Sequence, residues 1–550
     1  MGEETALPEL PKGWAWSTFK DVSNRVTVGH VGSMKNEYVE HGIPFLRSQN
    51  VRENRFDPSG LKYVSSEFHK RLKKSSLEPG DLVVVRSGSV GVACVIPDNL
   101  QDANCSDLVI VKQPQGIDPH YGAFYMNSVA RARVNSQQVG VALIHFNTKS
   151  MAAMPIPVPP LAEQRRIVNK IEELFTQLDA GIDLLKKLKV KLKRYRQAVL
   201  KAAVEGKLTQ DWREKQQQRG RLKSGDTLLA HIKTEREQCY QKLLDVWQTE
   251  VEFWEAHGKV GKRPSKPKKL KDLSALNQDD LSGLRILPDA WFWAKLGNVS
   301  IKIQIGPFGS LLHKADYIKE GIPAINPTHI NDLKINVDTN FTVTQKKFDE
   351  LKKYSLEEGD IIMGRRGEMG RCALVTENED GFLCGTGSLY IRPAKSLNSL
   401  YYSYFLSSRD TKTYLERHSI GTTMRNLNEN ILNEIPVPVC SYLEQEKIVE
   451  EIEACFSICD RIETDITSDL KKSEKLRQSI LQKAFEGKLV PQDPNDEPAS
   501  LLLERIQAEK VQQEAKSKKR KATTKKKKSR KTTKTKQLEI TDGSNEGQAS

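Results

Sequence analysis

Residues 194–209 read RYRQAVLKAAVEGKLT, and residues 475–490 repeat the pattern as KLRQSILQKAFEGKLV. Setting position n against position n+281 superimposes the Glu-Gly-Lys-Leu of 205–208 on that of 486–489. Each copy is typical of the end of a long helix, with the glycine as its C-terminal stop. Because solenoid units repeat every 20–50 residues or so, a repeat this distant predicts two copies of a whole domain with an appended helix.

The start and the middle of each copy also repeat. Residues 10–23 (LPKGWAWSTFKDVS) match 287–300 (LPDAWFWAKLGNVS), and residues 77–96 (LEPGDLVVVRSGSVGVACVI) match 356–375 (LEEGDIIMGRRGEMGRCALV). Alternating Trp-x-Trp pairs and β-branched runs are typical of strands, and the Gly-Asp and Gly-x-x-Gly steps between them are typical of turns. The matching position moves from n+277 to n+279 to n+281 along the chain, which indicates small loop insertions between diverged copies.

An aromatic helical segment and a proline-rich step complete each copy. The segment is PHYGAFYMNSV at 119–129 and SLYYSYFLSS at 399–408, and the prolines follow as MPIPVPP at 154–160 and IPVPVC at 435–440. Prolines at alternate positions hold a chain extended and keep it out of a helix, so we expect them to form a hinge before the long helix. Each copy is therefore predicted to be a compact α+β domain.

The two long helices carry a seven-residue apolar periodicity. In the first helix one register is Ile171, Leu178, Leu185, Leu192 and Val199, and the other is Leu174, Gly181, Leu188, Tyr195 and Ala202. The second helix has a poorer seam that includes Cys455 and Cys459. A helix of about 44 residues is a rod of roughly 66 Å, which is longer than a domain of this size is wide. The pattern predicts that the two helices pair as an antiparallel coiled coil.

The fold class expected from these segments is α+β, with two duplicated α+β domains that are each followed by a long helix. The expected order is 1–155 (first domain), 156–209 (first long helix), 210–286 (charged helical extension and basic linker), 287–436 (second domain), 437–490 (second long helix) and 491–550 (helical segment and Lys-rich tail).

Composition restricts the location and the class of the protein. No apolar run reaches the length of about 18 residues that a membrane span needs, and the acidic start MGEETALPEL lacks the apolar core of a secretion signal. The eight cysteines are scattered, without the spacing of a disulfide framework. A reducing, cytoplasmic location is the expectation.

Positive charge is concentrated near the C-terminus. The formal net charge is +15, and residues 516–536 contain 13 Lys or Arg and no acid, which leaves +2 for the rest of the chain. A tail of this composition is predicted to be disordered and to bind polyanions without sequence preference. Any nucleic-acid surface on the folded part must therefore be a local patch.

The sequence contains no recognised catalytic motif. It has no GxxxxGK[ST] phosphate loop, no G-x-G-x-x-G after a predicted strand, and no Asn-Pro-Pro-aromatic or Asp-Pro-Pro-aromatic tetrapeptide of amino-methyltransferases. Cys455 and Cys459 have the spacing of a ligand pair but lack His or Cys partners, so we expect them to pack in the core and expect no metal site. A scattered nuclease site of acids and a lysine stays open at this point.

Polar side chains beside predicted turns differ most between the two copies. Arg, Asn and Gln are the residues that read base edges with paired hydrogen bonds. The candidates for DNA contact are Arg47, Ser48, Gln49, Asn50, Arg86 and Ser87 in the first copy, and Asn326, Thr328, His329, Arg365 and Arg366 in the second. Any one of them is equally well interpreted as a solvated loop residue. As a set at matched positions they favour nucleic-acid contact, and because they differ between copies, two different half-sites are expected.

The doubled signature resembles the specificity subunits of bacterial type I restriction-modification systems. It consists of IPVPPLAEQRRIVNKIEELF (156–175) with RQAVLKAAVEGKLT (196–209), then IPVPVCSYLEQEKIVEEIEACF (435–456) with RQSILQKAFEGKLV (477–490), followed by DPNDEPASLLLERI (493–506). The resemblance implies two target-recognition domains, each of which reads half of a bipartite site in double-stranded DNA. It implies that the helices act as a ruler and as a docking surface.

The resemblance, which extends over residues 10–506, also implies partners and their cofactors. Two methyltransferase (M) subunits would methylate adenine with S-adenosylmethionine, and restriction (R) subunits would add ATP- and Mg²⁺-dependent translocation and cleavage. This chain would hold none of these cofactors and would not be an enzyme by itself. The Cys-containing second seam and the Lys-rich tail depart from the resemblance.

Two other interpretations remain open. A coiled-coil adaptor with two protein-binding domains would bind DNA weakly, without sequence preference, and only through the tail. A single-chain restriction and methylation enzyme would need methylase and nuclease motifs that the sequence lacks.

Overall fold

A computed structural model describes residues 7–130, 146–419, 426–513 and 515–516 of the 550-residue chain. The chain forms two compact units: unit 1 comprises 1–185 and 468–550, and unit 2 comprises 186–467. Each unit contains one α+β domain together with parts of both long helices. In the described ranges, no helix combines the length and the apolar character that crossing a membrane requires.

The described residues of the α+β domain of unit 1 form short strands and three short α-helices. The strands are β1 (Ala15–Thr18), β2 (Ser23–Val28), β3 (Tyr38–Val39), β4 (Ile43–Leu46), β5 (Val51–Arg52), β6 (Arg55–Phe56), β7 (Lys62–Val64), β8 (Ser76–Leu77), β9 (Leu82–Val85), β10 (Ala93–Val95), β11 (Ala103–Cys105), β12 (Leu108–Pro114) and β13 (Pro155–Val158). The helices are α1 (Ser66–Arg71), α2 (Pro119–Tyr125) and α3 (Thr148–Ala153).

Two sheets form the core of this domain. One is a four-stranded sheet of order β10-β9-β12-β2, and the other is a five-stranded sheet of order β3-β7-β4-β11-β8 in which β4 and β11 are parallel. Strand β9 is apolar at every position because both of its faces are buried. Leu82 and Val84 pack in the cluster that contains the aromatic side chains of α2, whereas Val83 and Val85 pack in the cluster that contains Leu46 of the second sheet.

The first long helix (Leu161–Val204) precedes α4 (Gln210–Gln218) and α5 (Gly225–Ala256). The α+β domain of unit 2 then repeats the plan of the first. Its strands are β14 (Phe292–Lys295), β15 (Ser300–Ile305), β16 (Ile322–Ile325), β17 (Ile330–Asn331), β18 (Lys334–Ile335), β19 (Thr342–Val343), β20 (Ile361–Gly364), β21 (Cys372–Leu374), β22 (Leu383–Cys384), β23 (Ser388–Pro393) and β24 (Pro436–Val439). Its helices are α6 (Gln278–Ser282), α7 (Leu296–Val299), α8 (Gln345–Glu350), α9 (Ser399–Ser407), α10 (Arg409–His418) and α11 (Glu429–Asn433).

The four-stranded sheet of unit 2 matches that of unit 1, and its second sheet has three strands where unit 1 has five. A four-stranded sheet has the order β15-β23-β20-β21, and a three-stranded sheet has the order β19-β16-β22 with β16 parallel to β22. The second long helix (Tyr442–Phe485) follows β24, and a C-terminal helix occupies residues 499–513. Both aromatic segments are helical, as predicted, because α2 and α9 bury their tyrosines and phenylalanines against the four-stranded sheets.

The proline-rich steps are extended, as predicted, but each is a strand that pairs with another strand. The prediction that they act as hinges is therefore wrong. Strand β13 pairs with the Trp-x-Trp strand β1, which places Trp16 opposite Pro157, and β24 pairs with β14, which places Trp293 opposite Pro438. Proline lacks the N–H that a central strand must donate, so it fits a two-stranded ribbon in which one side of the strand is unpaired. Each ribbon closes its domain before the long helix begins.

The first turn of each long helix is joined to the tryptophan strand of the same unit. In unit 1, Trp14 Nε1 donates to Glu163 Oε2 at 3.1 Å, and in unit 2, Trp291 Nε1 donates to Glu444 Oε2 at 2.8 Å. Both glutamates are buried. The repeated glutamate of the sequence signature is therefore a structural acceptor for a buried indole N–H.

The glutamine that follows this glutamate is also buried and joins the helix to the aromatic segment. Gln164 accepts from the N–H of Asp118 at 2.7 Å and donates to the carbonyl of Pro159 at 2.9 Å. Gln445 accepts from the N–H of Asn398 at 2.9 Å in the same way. Each long helix thus starts from a fixed point on its domain.

Both long helices end at the predicted glycine. Gly206 has φ +66° and Gly487 has φ +69°, the left-handed conformation that glycine adopts without a steric penalty. A Cβ added to Gly206 would lie 2.6 Å from Pro288, and one added to Gly487 would collide with Pro11. In unit 1 the domain therefore packs against the end of the second helix, and in unit 2 it packs against the end of the first.

Inside unit 2 the helices contact each other in the antiparallel sense. Lys189 lies 3.7 Å from Glu463, while Arg196, two turns later, reaches back to Asp460 at 2.6 Å and stacks over the ring of Phe456 at 5.5 Å. As residue numbers rise along one helix they fall along the other. This order fits the predicted pairing.

Burial along the first helix differs between the two predicted registers. Leu192 and Val199 of the first register are buried, with 7% and 5% of their surface exposed. Leu188 and Tyr195 of the second register are 40% and 51% exposed. The hydroxyl of Tyr195 nevertheless lies 3.8 Å from the sulfur of Cys455 on the second helix, so both registers take part in the contact and the second is covered less completely.

The segments that follow the long helices pack alike in the two units. In unit 2, the N–H of Gly225 donates to the carbonyl of Ala290 at 3.0 Å, and in unit 1, the N–H of Ala499 donates to the carbonyl of Gly13 at 2.9 Å. Further on, Lys510 Nζ donates to the carbonyl of Asp21 at 2.7 Å. The C-terminal helix is thus a structural part of unit 1.

Candidate nucleic-acid interface

The candidate residues of unit 1 follow the ends of two strands, β4 and β9. Strand β4 runs parallel to β11, and the N–H of Ser106 donates to the carbonyl of Leu46 at 3.0 Å, directly before Arg47. The hydroxyl of Ser87, after β9, donates to the carboxylate of Asp107. The turn at 105–107 therefore brings the segment of Arg47 and the segment of Arg86 to the same side of the domain.

Unit 2 brings its own candidates together in the same way. The N–H of Gly385 donates to the carbonyl of Ile325 at 3.0 Å, directly before Asn326, and the N–H of Arg365 donates to the carbonyl of Gly387 at 2.8 Å. The turn at 385–387 thus stands between the two candidate segments, as 105–107 does in unit 1. The sequence predicted matched positions, and the structure brings each set to one surface.

The strands that carry the arginines start from a buried carboxylate. Asp81, in the Gly-Asp turn before β9, pairs with Lys112 at 2.6 Å, and Asp360, before β20, pairs with Arg392 at 2.7 Å. Both aspartates are fully buried. Burial raises the pKa of the Asp360 carboxyl, and the hydrogen bond from Arg392 opposes this. These pairs fix where each strand begins, and so where its arginine emerges.

Two of the candidate residues support their loops and are not exposed readers. Asn50 Oδ1 accepts from the N–H of Arg47 at 3.1 Å, and His329 Nδ1 accepts from the N–H of Asn326 at 3.2 Å. Asn50 is fully buried and its amide also donates to the carbonyl of Asp57 at 3.0 Å. His329 is 6% exposed, and burial lowers its pKa, so the neutral ring accepts through Nδ1. The prediction that these two side chains touch bases does not fit their burial.

The remaining candidates are accessible to different degrees. Gln49, Thr328 and Arg366 are exposed, and Arg47, Ser48, Arg86, Ser87 and Asn326 are partly buried. Arg365 is 6% exposed, and burial, followed by the charge of Arg366, lowers the pKa of its guanidinium. The carbonyl of Gly60 accepts from Arg47 at 3.0 Å and from Gln49 at 3.4 Å, which orders both side chains.

Three arginines of the candidate set share an unusual feature. The Nε atoms of Arg47, Arg86 and Arg365 are buried and have no hydrogen-bond partner among the described residues. Native structures rarely leave buried donors unpaired, because each lost hydrogen bond costs roughly 1–3 kcal/mol. Arg86 and Arg365 occupy the same position in the two copies. Guanidinium groups at matched positions give both surfaces a side chain of the kind that binds phosphates and base edges.

A third segment at each surface was missed by the sequence analysis. Strand β2 ends at the loop GHVGSM (29–34), and β15 ends at the loop GPFGSL (306–311). The N–H of His30 donates to the carbonyl of Cys105 at 2.7 Å, and the N–H of Gly306 donates to the carbonyl of Ser388 at 3.0 Å. Each loop therefore borders the turn that joins the other two segments. The signal was in the sequence, as a Gly-x-x-Gly-Ser pattern that occurs at the matching position of both copies.

Metal chemistry finds no support in the part of the chain that the structure describes. In those ranges, no three His, Cys, Asp or Glu side chains are grouped so that they could hold an ion. Cys459 is buried, and Cys455 lies 3.8 Å from the hydroxyl of Tyr195, so both cysteines belong to the packing between the helices.

Comparison with known proteins defines the class. The family of the type I restriction modification DNA specificity domain matches residues 11–194 and 307–472, which include the first α+β domain, the second α+β domain after β15, and most of both long helices. The chain belongs to this family.

Relatives of similar length agree with that assignment. The chain is 26% identical over 538 residues to the type I restriction enzyme StySPI specificity subunit of Salmonella potsdam, with 93% of this chain and 99% of the relative covered. It is 25% identical to the EcoBI specificity subunit of Escherichia coli, with 87% and 89% covered. A solved chain from a study of complex assembly and conformational transition of the type I R-M system superimposes with a TM-score of 0.57 at 16% identity, covering 88% of this chain and all of that one. That likeness concerns the fold alone.

Proposed function

We propose that this chain is the DNA specificity subunit of a type I restriction-modification complex, in which each α+β domain reads one half of a bipartite, non-palindromic site. The observation that carries the proposal is the pair of arginines, Arg86 and Arg365, at matched positions after β9 and β20, next to the turns that join the segments of each surface. Phosphate oxygens and the O6 and N7 atoms of guanine are acceptors that fit an arginine fork.

The division of labour follows from the relatives. They are named as specificity subunits, so methylation and cleavage in such a system are the work of other chains. We infer that two methyltransferase subunits bring S-adenosylmethionine and that restriction subunits bring ATP and Mg²⁺. The role of this chain is then to select the site.

The exposed candidates are the best direct readers. Gln49, Thr328 and Arg366 are exposed at the two surfaces, Arg47 and Arg86 are partly buried there, and Arg365 is largely buried. Asn50 and His329 hold the turns from which these side chains project. Because the two sets differ in chemistry, the two half-sites should differ in sequence.

Exchange of one domain tests the proposal directly. Strand β13 completes the first domain by pairing with β1, so the exchanged segment should run from residue 1 to residue 160 and include it. With the equivalent segment of a relative in its place, methylome sequencing of the host is expected to find a motif with one new half and one unchanged half. A strain without the gene should lose the motif entirely. A motif in which both halves change, or no bipartite motif in the parent strain, would contradict the proposal.

The Lys-rich tail, most of which lies outside the described residues, is expected to contribute only nonspecific affinity. Deleting residues 517–550 removes most of the basic run but keeps Lys510, whose ammonium group packs against the first domain. Because clustered lysines bind phosphates through release of counterions, the truncated complex should show a shallower salt dependence of nonspecific DNA binding and the same methylated motif. A changed motif would assign the tail a part in recognition. A chain ending at residue 509 is the matched comparison and should be less stable.

A further inference from the structure

Each recognition surface carries an exposed apolar side chain at the tip of its Gly-x-x-Gly-Ser loop. Val31 in GHVGSM is 66% exposed, and Phe308 in GPFGSL is 60% exposed. The two residues occupy the same position of the repeated pattern. An exposed phenylalanine by itself needs no explanation, but an apolar residue retained at the same tip in two diverged copies does.

Each loop packs closely against the neighbouring strand, and this packing restricts the position of the loop tip. A Cβ added to Gly29 would lie 2.8 Å from the carbonyl oxygen of Cys105, and one added to Gly306 would lie 2.5 Å from that of Gly385. Only glycine permits this approach, since any side chain would displace the loop. In unit 1 the N–H of Asp107 also donates to the carbonyl of His30 at 3.3 Å, one residue before the tip.

Phe308 lies directly beside an arginine of the candidate set. The guanidinium carbon of Arg365 is 5.5 Å from the centroid of the Phe308 ring. The exposed ring thus covers a guanidinium group that is itself 6% exposed. The exposed Phe308 ring and the exposed Thr328 and Arg366 side chains at this surface match the two kinds of group on a major-groove edge, a methyl group and acceptors.

We propose that Phe308 packs against the C5-methyl group of a thymine in the second half-site, and that Val31 does the same in the first. The thymine methyl is the apolar group that base edges present in the major groove. The inference rests on the proposed function and goes beyond it, because it assigns apolar readers and predicts a thymine in each half-site.

Replacing thymine by uracil removes the methyl group and nothing else. In the complete complex with its methyltransferase subunits, binding to duplexes is measured by competition, with uracil placed at each thymine position of both half-sites in turn. Loss of a buried methyl contact is expected to weaken binding roughly three- to fivefold at one position of the second half-site. In the Phe308→Ala complex the same replacement should have no effect, while replacements in the first half-site should weaken binding as in the parent.

The matched variants give the reverse pattern and a control. Val31→Ala should abolish the uracil effect in the first half-site only. Phe308→Leu keeps an apolar tip and should keep most of the effect. Ile286→Ala removes a 97% exposed apolar side chain outside the loops and should leave every measurement unchanged.

The inference is overturned if the second half-site contains no thymine whose methyl matters, or if Phe308→Ala leaves the uracil effect intact. Either result can occur while the parent complex still binds a bipartite site, in which case the proposed function stands. If the parent complex binds no bipartite site, both this inference and the proposed function are wrong.

Discussion

Replacing Arg213 by alanine is expected to lower the free energy of unfolding of unit 2 by about 3–5 kcal/mol, the typical effect of removing one partner of a buried ion pair. Arg213 Nε lies 2.8 Å from Glu444 Oε1, and the side chains are only 10% and 1% exposed. Without the guanidinium, the carboxylate of Glu444 would stay buried with only neutral donors, Trp291 and Thr209.

Thermal or denaturant unfolding of the single and double variants measures the effect. The double variant Arg213→Met with Glu444→Gln should recover much of the lost stability, because it removes the uncompensated charge together with its partner. If Arg213→Ala unfolds like the parent protein, or the double variant is no better than the single one, the pair does not have this role.

The equivalent glutamate in unit 1 provides a control inside the same molecule. Position 494, which corresponds to Arg213 in the alignment of the two copies, is a proline, and Glu163 Oε1 is buried without a hydrogen-bond partner among the described residues. Burial raises the pKa of the Glu163 carboxyl above the ordinary pKa of a glutamate, which the unfolded chain has. The folded state therefore loses stability as the pH rises above that ordinary pKa and the buried carboxyl ionises. Glu163→Gln should therefore be neutral or stabilising at pH 7, whereas Glu444→Gln should be destabilising.

Lengthening both long helices by one heptad is expected to abolish methylation at the original site spacing and to produce a spacer about three base pairs longer. Seven residues add about 10.5 Å to a helix, and base pairs are about 3.4 Å apart. This is the consequence of the proposal that helix length sets the separation of the half-sites. Both helices are 44 residues long.

The insertions belong at facing positions, after Lys189 and after Glu463, because these side chains lie 3.7 Å apart. An insertion at Lys189 alone would leave the second helix one heptad short. The contact of Arg196 with Asp460 would then fall out of register with the contact of Lys189 with Glu463. The single insertion should cost activity at every spacing. Insertions of three or four residues should cost more, because they put the apolar stripe out of phase.

Methylome sequencing of the doubly extended variant reads out the result. Methylation of the original site with unaltered spacing would contradict the proposal that helix length sets the separation of the half-sites. The helices would then serve only as a docking surface. Loss of all methylation must be separated from loss of subunit assembly, so the complex is first purified and its subunit composition determined.

The duplication could be predicted from the sequence because each signature residue meets a local requirement. Gly206 and Gly487 take a left-handed conformation at a helix end, and prolines 157 and 438 keep their strands extended. Such requirements depend on a few neighbouring residues, so they appear as patterns in the chain. The proline-rich steps were wrongly predicted to be hinges, because the sequence of an extended proline segment does not show whether it pairs with another strand.

The site could be predicted only in part, for the same reason. Matched positions after β4, β9, β16 and β20 identified the segments, yet burial separated Asn50 and His329 from the exposed Gln49 and Thr328 beside them. Neighbours in sequence point to opposite sides of a turn, and which side faces the core depends on strands far along the chain.

The amino-acid sequence was enough to show that the chain is a diverged duplicate of a domain and a long helix, because periodicity, glycine stops and proline steps are local. Tertiary structure was needed to show that the loops at 29–34 and 306–311 border the recognition surfaces, and that Arg213 neutralises Glu444. These relations join residues up to 231 positions apart, and they exist only where packing has brought buried polar groups to a partner.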